Sequence, residues 1–162
     1  MRITRTASLP AGVEDVFSLI ASEEYQKAKV AAQAERSSAS VNEQAGRAMG
    51  VHTRRELPTA DMPAVVTSMV GDTLTVTEQQ NWSQPLPDGS RTADLEIRVA
   101  GVPLQLVGRL TLSPAGGGSS LEVAADLDCS VPFVGSRIES AARPTIEGSF
   151  DHEVRLLAER LS

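Results

Sequence analysis

Five polar residues stand where an apolar surface is otherwise continuous, so they are the first candidates for chemistry. Glu78 and Gln80 alternate with outward positions in a strand-like stretch, and Glu139, Arg143 and Glu153 lie within or beside the apolar stripe of a C-terminal helix. Buried carboxylates must pair or reach water. In one interpretation they form a polar cluster that orients a ligand's head group or acts as a general base. In the other, Arg143 and Glu139 form an i, i+4 pair and the remaining residues lie at the rim, where their polar ends reach solvent.

Three apolar residues complete the candidate ligand site. Trp82 shares the inward parity of Glu78 and Gln80 and offers either core packing or a flat wall to a ligand. Phe150 lies on the apolar stripe of the last helix. Met69 belongs to the segment 65–70, which is interpreted as a lid over an opening or as a cap on a sheet edge.

Other reactive residue types do not assemble into a site in the sequence. His52 has outward parity, His152 is placed off the apolar stripe, and Cys129 is interpreted as a buried small hydrophobe. The glycines at 116–118 join two strands and lack the ending of a phosphate loop. We therefore assign no catalytic residue and expect neither a metal nor a cofactor.

Composition excludes several classes of protein. The 162 residues carry a formal net charge of -6, which disfavours a nucleic-acid partner, and only Arg47, Arg54 and Arg55 suggest a basic face. No stretch approaches the roughly 18 apolar residues that span a bilayer, so membrane insertion is not expected. The chain begins without the apolar run of a signal peptide and contains one cysteine, which is typical of a cytoplasmic protein.

Alternating hydrophobicity predicts an antiparallel sheet of about seven strands that is covered on one face. The pattern is clearest over residues 93–99, 104–112 and 121–131, whose connections are short and rich in turn residues. A strand at 3–7 precedes them, followed by a helix that carries Val13, Phe17 and Ile20 and by a second helix that Ser22 caps. Residues 65–70 have helical spacing and interrupt the sheet.

One long amphipathic helix is predicted to cover the sheet. Its apolar positions recur every three or four residues from Ile138 to Leu161, and the helix would be about 40 Å long. Pro144 and Gly148 are expected to bend or loosen it. The fold class is therefore α+β, with a curved sheet wrapped around the C-terminal helix and two short helices after the first strand.

Several short motifs resemble a known superfamily. They are Leu9-Pro10-Ala11, Trp82 at the end of a strand, Gly101-Val102-Pro103 in a hairpin, and residues 131–135 leading to Ile138-Glu139. The chain is similar to the START, polyketide-cyclase and birch-pollen-allergen (SRPBCC) superfamily, and more narrowly to a bacterial family of unknown function within it. The resemblance implies one helix-grip domain over residues 1–162 and a hydrophobic-ligand cavity between the sheet and the helix.

Three functions remain open from the sequence. The first is a non-enzymatic carrier or sensor for a lipid, polyketide or isoprenoid. The second is a cyclase- or dehydratase-type enzyme that uses Glu78, Glu139 or Glu153. The third is an interaction module with a filled core, working through a surface patch or as a homodimer. The small inward residues Ala93, Gly108 and Ala125 would let the helix pack closely or would leave a hollow.

Overall fold

The frame of the protein is one antiparallel sheet. The computed structural model describes residues 1–162, with the side chains of residues 1–46 and 49–162. The described chain forms seven strands in the spatial order β1-β7-β6-β5-β4-β3-β2. They are β1 (Arg2–Leu9), β2 (Arg36–Gln44), β3 (Arg47–Pro58), β4 (Thr73–Trp82), β5 (Arg91–Val99), β6 (Leu104–Ala115) and β7 (Gly118–Cys129). The first strand therefore pairs with the last, and the predicted α+β architecture is confirmed.

Four helices complete the fold: α1 (Val13–Ile20), α2 (Glu23–Ala31), α3 (Ala64–Val70) and α4 (Gly135–Leu161). The Ser22 hydroxyl accepts a hydrogen bond from the Tyr25 N–H at 3.3 Å, which confirms the predicted cap of α2. None of the described helices is both long and apolar enough to cross a membrane.

Strand alternation sorts the side chains as the sequence predicts. In β4, residues 74, 76, 78, 80 and 82 are buried, and in β7 residues 121, 123, 125, 127 and 129 are buried. Because successive side chains of a strand point to opposite faces, each strand gives one set to the inner face. Glu78 and Gln80 thus belong to the inner face of the sheet, although they are polar.

Helix α4 is fixed to the rest of the protein near its two ends. Its buried residues are Gly135 and Ile138 in the first turns and Glu153 and Leu157 toward the C-terminus. Every residue from 139 to 152 is half-buried or exposed. The helix is continuous through Pro144 and Gly148. Its middle is therefore incompletely buried, although Ala142, Ile146 and Phe150 contact the main hydrophobic core.

Candidate functional site

A cavity of about 520 Å³ lies between the inner face of the sheet, α3 and the middle of α4. Its volume falls in the range of roughly 300–1,000 Å³ that is typical of small-molecule sites. Most of the wall is aliphatic or aromatic, and these side chains come mainly from six of the strands and from α4. Representative lining residues are Leu74, Val76, Leu95, Leu106, Val123 and Phe150.

An ionic cluster interrupts this apolar wall where α2, β4 and α4 meet. The Lys29 Nζ donates to Glu153 Oε2 at 2.8 Å and to Glu78 Oε1 at 3.1 Å. Lys29 is only 2% exposed, and both carboxylates are also buried. The Thr53 hydroxyl donates to Glu78 Oε1 at 3.4 Å. All three charged side chains line the cavity, so this end of the cavity is polar.

The two carboxylates keep the cluster ionised despite its burial. Burial by itself would lower the pKa of Lys29, but attraction from Glu153 and Glu78 outweighs it, so the pKa is raised. Burial would raise the pKa of Glu78, but attraction from Lys29 and Arg55, together with hydrogen bonds from Lys29 and Gln80, lowers it. Lys29 is therefore an ammonium and Glu78 a carboxylate near neutral pH.

Arg55 on β3 supplies a second buried cation to the cavity wall. It is 7% exposed, and its Nη1 donates to the Gln33 side-chain oxygen from α2. Its Nε is buried and has no hydrogen-bond partner among the described residues. A buried donor without an acceptor is unusual in a folded protein, so this atom requires an explanation.

The sequence profile of one family, described as "Protein of unknown function (DUF2505)", matches residues 4–161. The chain belongs to this family. An uncharacterized protein of Mycobacterium tuberculosis is 28% identical over 81 residues, which make up 49% of this chain and 46% of that protein. An uncharacterized protein of Mycobacterium bovis matches to the same extent. The match therefore spans about half the length of these curated relatives.

Solved structures share the fold of this DUF2505 member across nearly its whole length. The ZhuI aromatase/cyclase from Streptomyces sp. R1128 has a TM-score of 0.65 at 10% identity, covering 99% of this chain and 92% of that one. A START superfamily protein from Mycobacterium smegmatis has a TM-score of 0.57 at 15% identity and covers 99% of both chains. Ara h 8.0201 has a TM-score of 0.58 at 12% identity and covers 97% of both. The helix-grip, START-like fold is thereby confirmed.

Four of the eight predicted site residues of this DUF2505 protein line the cavity: Glu78, Gln80, Phe150 and Glu153. Trp82 is fully buried but lies outside the lining. Its indole N–H donates to Gln80 Oε1 at 2.9 Å, and its ring meets the Phe17 ring edge-on at 5.7 Å. Trp82 therefore packs in the core beside the cavity and fixes the orientation of Gln80.

Glu139 and Arg143 lie outside the cavity lining, and the predicted pair between them is wrong. Arg143 Nε donates to Glu147 Oε1 at 2.8 Å instead, in the other direction along the helix. Glu139 Oε2 accepts from the Cys129 N–H at 3.2 Å, and Glu139 Oε1 accepts from the N-terminal ammonium of Met1 at 3.4 Å. Glu139 is placed next to the end of β7 and the start of β1, so its nearest donors lie there.

Met69 is 40% exposed and does not line the cavity, whereas Met62, Pro63 and Val66 at the start of α3 do. The prediction that His152 lies away from the apolar side was also wrong. His152 is half-buried and lines the cavity, and its Nε2 is buried without a hydrogen-bond partner among the side chains that the structure describes. Because α4 faces a hollow there rather than a filled core, a wider arc of the helix borders it. His52, by contrast, is exposed as predicted.

The small inward residues do not create the hollow. Ala93, Gly108 and Ala125 are absent from its lining. A Cβ atom on Gly108 would lie 2.2 Å from the Ala124 carbonyl oxygen, so this glycine permits the close approach of β6 and β7. The cavity instead lies between the middle of α4 and large aliphatic side chains of the sheet, such as Leu74, Leu106 and Leu127.

Lys29 and Arg55 were missed by sequence reasoning, although a signal existed for each. Two inward carboxylates require a cation nearby, and Lys29 is one of only two lysines in the chain. Arg55 continues the parity of Val51 and Thr53 on β3, both of which are buried. From the sequence, Arg55 is instead placed on a basic face with Arg54, which is exposed, and with Arg47, whose side chain lies outside the described ones.

Proposed function

We propose that the protein binds a small, largely apolar molecule, such as a lipid, a polyketide or an isoprenoid, between the sheet and α4. It would act as a carrier or sensor. The observation that supports this proposal is the aliphatic-lined cavity of about 520 Å³ with an ionic cluster at one end. In such sites the apolar walls provide most of the affinity for the ligand, and a few convergent polar groups fix the orientation of the ligand.

An apolar cavity of this size favours a bound molecule on energetic grounds. Protein interiors are normally close-packed, and unfilled apolar volume lowers stability. Here α4 is held near both ends while residues 139–152 remain incompletely buried. A ligand in the cavity would contact this stretch of the helix and the inner face of the sheet together. The aromatase/cyclase of the same fold supports the view that such a frame can hold a small molecule.

The ionic cluster favours binding over acid–base catalysis. A cyclase- or dehydratase-type acid would need a carboxyl group whose pKa is raised toward neutrality. The pKa of Glu78 is lowered instead, by its attraction to Lys29 and Arg55, although burial opposes this. Glu78 and Glu153 also share the same ammonium donor. Both carboxylates are thus held by the protein rather than presented to a substrate.

The proposal is tested by filling the cavity. The fluorescent probe N-phenyl-1-naphthylamine (NPN), which is apolar and uncharged, should bind the purified protein with enhanced emission. Val76→Phe places a ring in the cavity and should weaken binding about tenfold or more, equivalent to about 1.4 kcal/mol. Val107→Phe is the matched control, because Val107 is 44% exposed and absent from the lining.

Native mass spectrometry of protein purified from its own host should also show bound mass. If NPN does not bind, or if it binds both variants as well as the wild type, the cavity is not a ligand site. Equal weakening by both phenylalanine variants would point to general disturbance of the fold and would also contradict the proposal.

A further inference from the structure

The cavity wall contains a buried hydrogen-bond donor that has no acceptor among the described residues. Among the described lining residues, the buried polar atoms that lack a partner are both nitrogens, Arg55 Nε and His152 Nε2. The Arg55 Nε–H is an obligatory donor, because a guanidinium has no acceptor atom. An occupant that satisfies it must therefore bring an acceptor, such as an oxygen atom.

The formal charges at this end already cancel. Lys29 and Arg55 carry two positive charges, and Glu78 and Glu153 carry two negative charges, all on buried side chains. No carboxylate of the described residues lies within ion-pair distance of Arg55, whose hydrogen-bonding partner is the neutral Gln33. Arg55 acts on Glu78 through space, and it thereby balances the second carboxylate of the cluster. A charged ligand group here would be left without a counter-ion in a poorly solvated site.

We infer that the cavity selects an uncharged ligand with a hydrogen-bond-accepting oxygen, such as the carbonyl of a ketone or ester, that accepts from the Arg55 guanidinium. The inference rests on the proposed function and specifies the class of ligand. The Gln33 contact holds the guanidinium at Nη1, and Nε has no hydrogen-bond partner among the described residues. The apolar remainder of the ligand then lies along the aliphatic wall toward α3 and the middle of α4.

The test is competition against NPN by three probes with the same twelve-carbon chain: dodecan-2-one, dodecanoate and dodecyltrimethylammonium. At about pH 7 the carboxylic acid is ionised, so the three probes differ mainly in charge and acceptor. Dodecan-2-one should bind wild-type protein about tenfold more tightly than either charged probe. Arg55→Met should weaken the ketone about tenfold and change NPN affinity by less than about twofold, because NPN brings no carbonyl.

Arg54→Met is the matched control, since Arg54 is the neighbouring residue on β3 and is exposed. It should leave all the affinities unchanged. Arg55→Lys keeps the charge balance, so it should fold even if Arg55→Met does not, and it should retain only part of the ketone affinity. A cooperative thermal unfolding transition for each variant shows that the affinities are measured on folded protein.

The outcomes separate the two proposals. If NPN fails to enter wild-type protein and no probe binds, both proposals are overturned. If NPN binds and Val76→Phe blocks it, but ketone affinity is insensitive to Arg55, only the present inference fails. It also fails if dodecanoate or the ammonium probe binds wild-type protein more tightly than dodecan-2-one.

Discussion

Replacing Lys29 by methionine tests the ionic cluster most directly. The ammonium contacts one oxygen of Glu78 and one of Glu153, so these two oxygens lie within about 6 Å of each other. Methionine fills similar volume without charge. The substitution therefore leaves two buried carboxylates facing each other with no shared cation, and Arg55 remains as the nearest positive charge.

The expected loss is large. Removing one partner of a buried ion pair typically costs about 3–5 kcal/mol, against a total stability of about 5–15 kcal/mol for a natural domain. Urea unfolding followed by circular dichroism at about pH 7 measures this loss. Lys27→Met is the control, because Lys27 is exposed on the same helix and pairs with Glu23 at 3.5 Å. It should change stability by no more than about 0.5 kcal/mol.

Between about pH 7 and about pH 5, the stability of the variant should depend on pH, whereas that of the wild type should not. The pKa of Glu78 is lowered from its ordinary 4.5, so its contribution is present above that value and lost as the pH falls through the lowered pKa. The pKa of Lys29 is raised from 10.5, so its contribution is full below that value and lost at higher pH. Between about pH 4.5 and about pH 10.5, the contribution of this cluster to the free energy of unfolding of the wild type should therefore not change with pH.

In Lys29→Met, mutual repulsion of the two carboxylates should raise the pKa of one of them above its unfolded value. The folded variant then takes up a proton, and its stability should increase as the pH falls from about 7 to about 5. The double variant Lys29→Met/Glu78→Gln should recover part of the loss at neutral pH. A loss below about 1 kcal/mol, or a variant that weakens steadily on acidification, would refute the reasoning.

Three further substitutions test the frame of the site, each by urea unfolding at neutral pH. Gly108→Ala should cost about 1–3 kcal/mol, because the new Cβ would collide with the backbone of the neighbouring strand. Ser22→Ala should cost about 1 kcal/mol by removing the cap of α2. Arg91→Met should cost about 1–2 kcal/mol, since Arg91 donates two hydrogen bonds to Glu14 and lies 3.8 Å over the Phe17 ring. An unchanged unfolding midpoint would contradict the corresponding contact.

The fold was predictable because its signals are local. Strict alternation over β4 to β7 specifies which face each side chain occupies, and short turn-rich connections specify antiparallel neighbours. The cap at Ser22 and the period of α4 are equally local. None of these signals depends on which distant residues meet, so the sequence alone was sufficient for the architecture.

The polar end of the cavity depends on long-range partners, and the prediction was incomplete there. Parity placed Glu78 on the inner face, but the cation that neutralises it comes from α2, 49 residues earlier in the chain. Helix α2 has no clear apolar stripe that would mark Lys29 as inward, since its mean hydropathy is low and its buried residues include Gln26. Arg55 and His152 were missed for a related reason. Periodicity shows which side chains share one face of a strand or helix, but it does not show whether that face borders a packed core, a cavity or solvent.

The position of α4 and the chemistry of the cavity are coupled through Glu153. Glu153 and Leu157 are the two buried residues in the C-terminal half of α4. Glu153 also accepts the shorter of the two Lys29 hydrogen bonds, at 2.8 Å compared with 3.1 Å to Glu78. A change that weakens the Lys29–Glu153 bond therefore acts on the polar end of the cavity and on the support of the helix together. Since residues 139–152 have no buried side chain to hold them independently, ligand affinity and helix stability should change together in variants of this cluster.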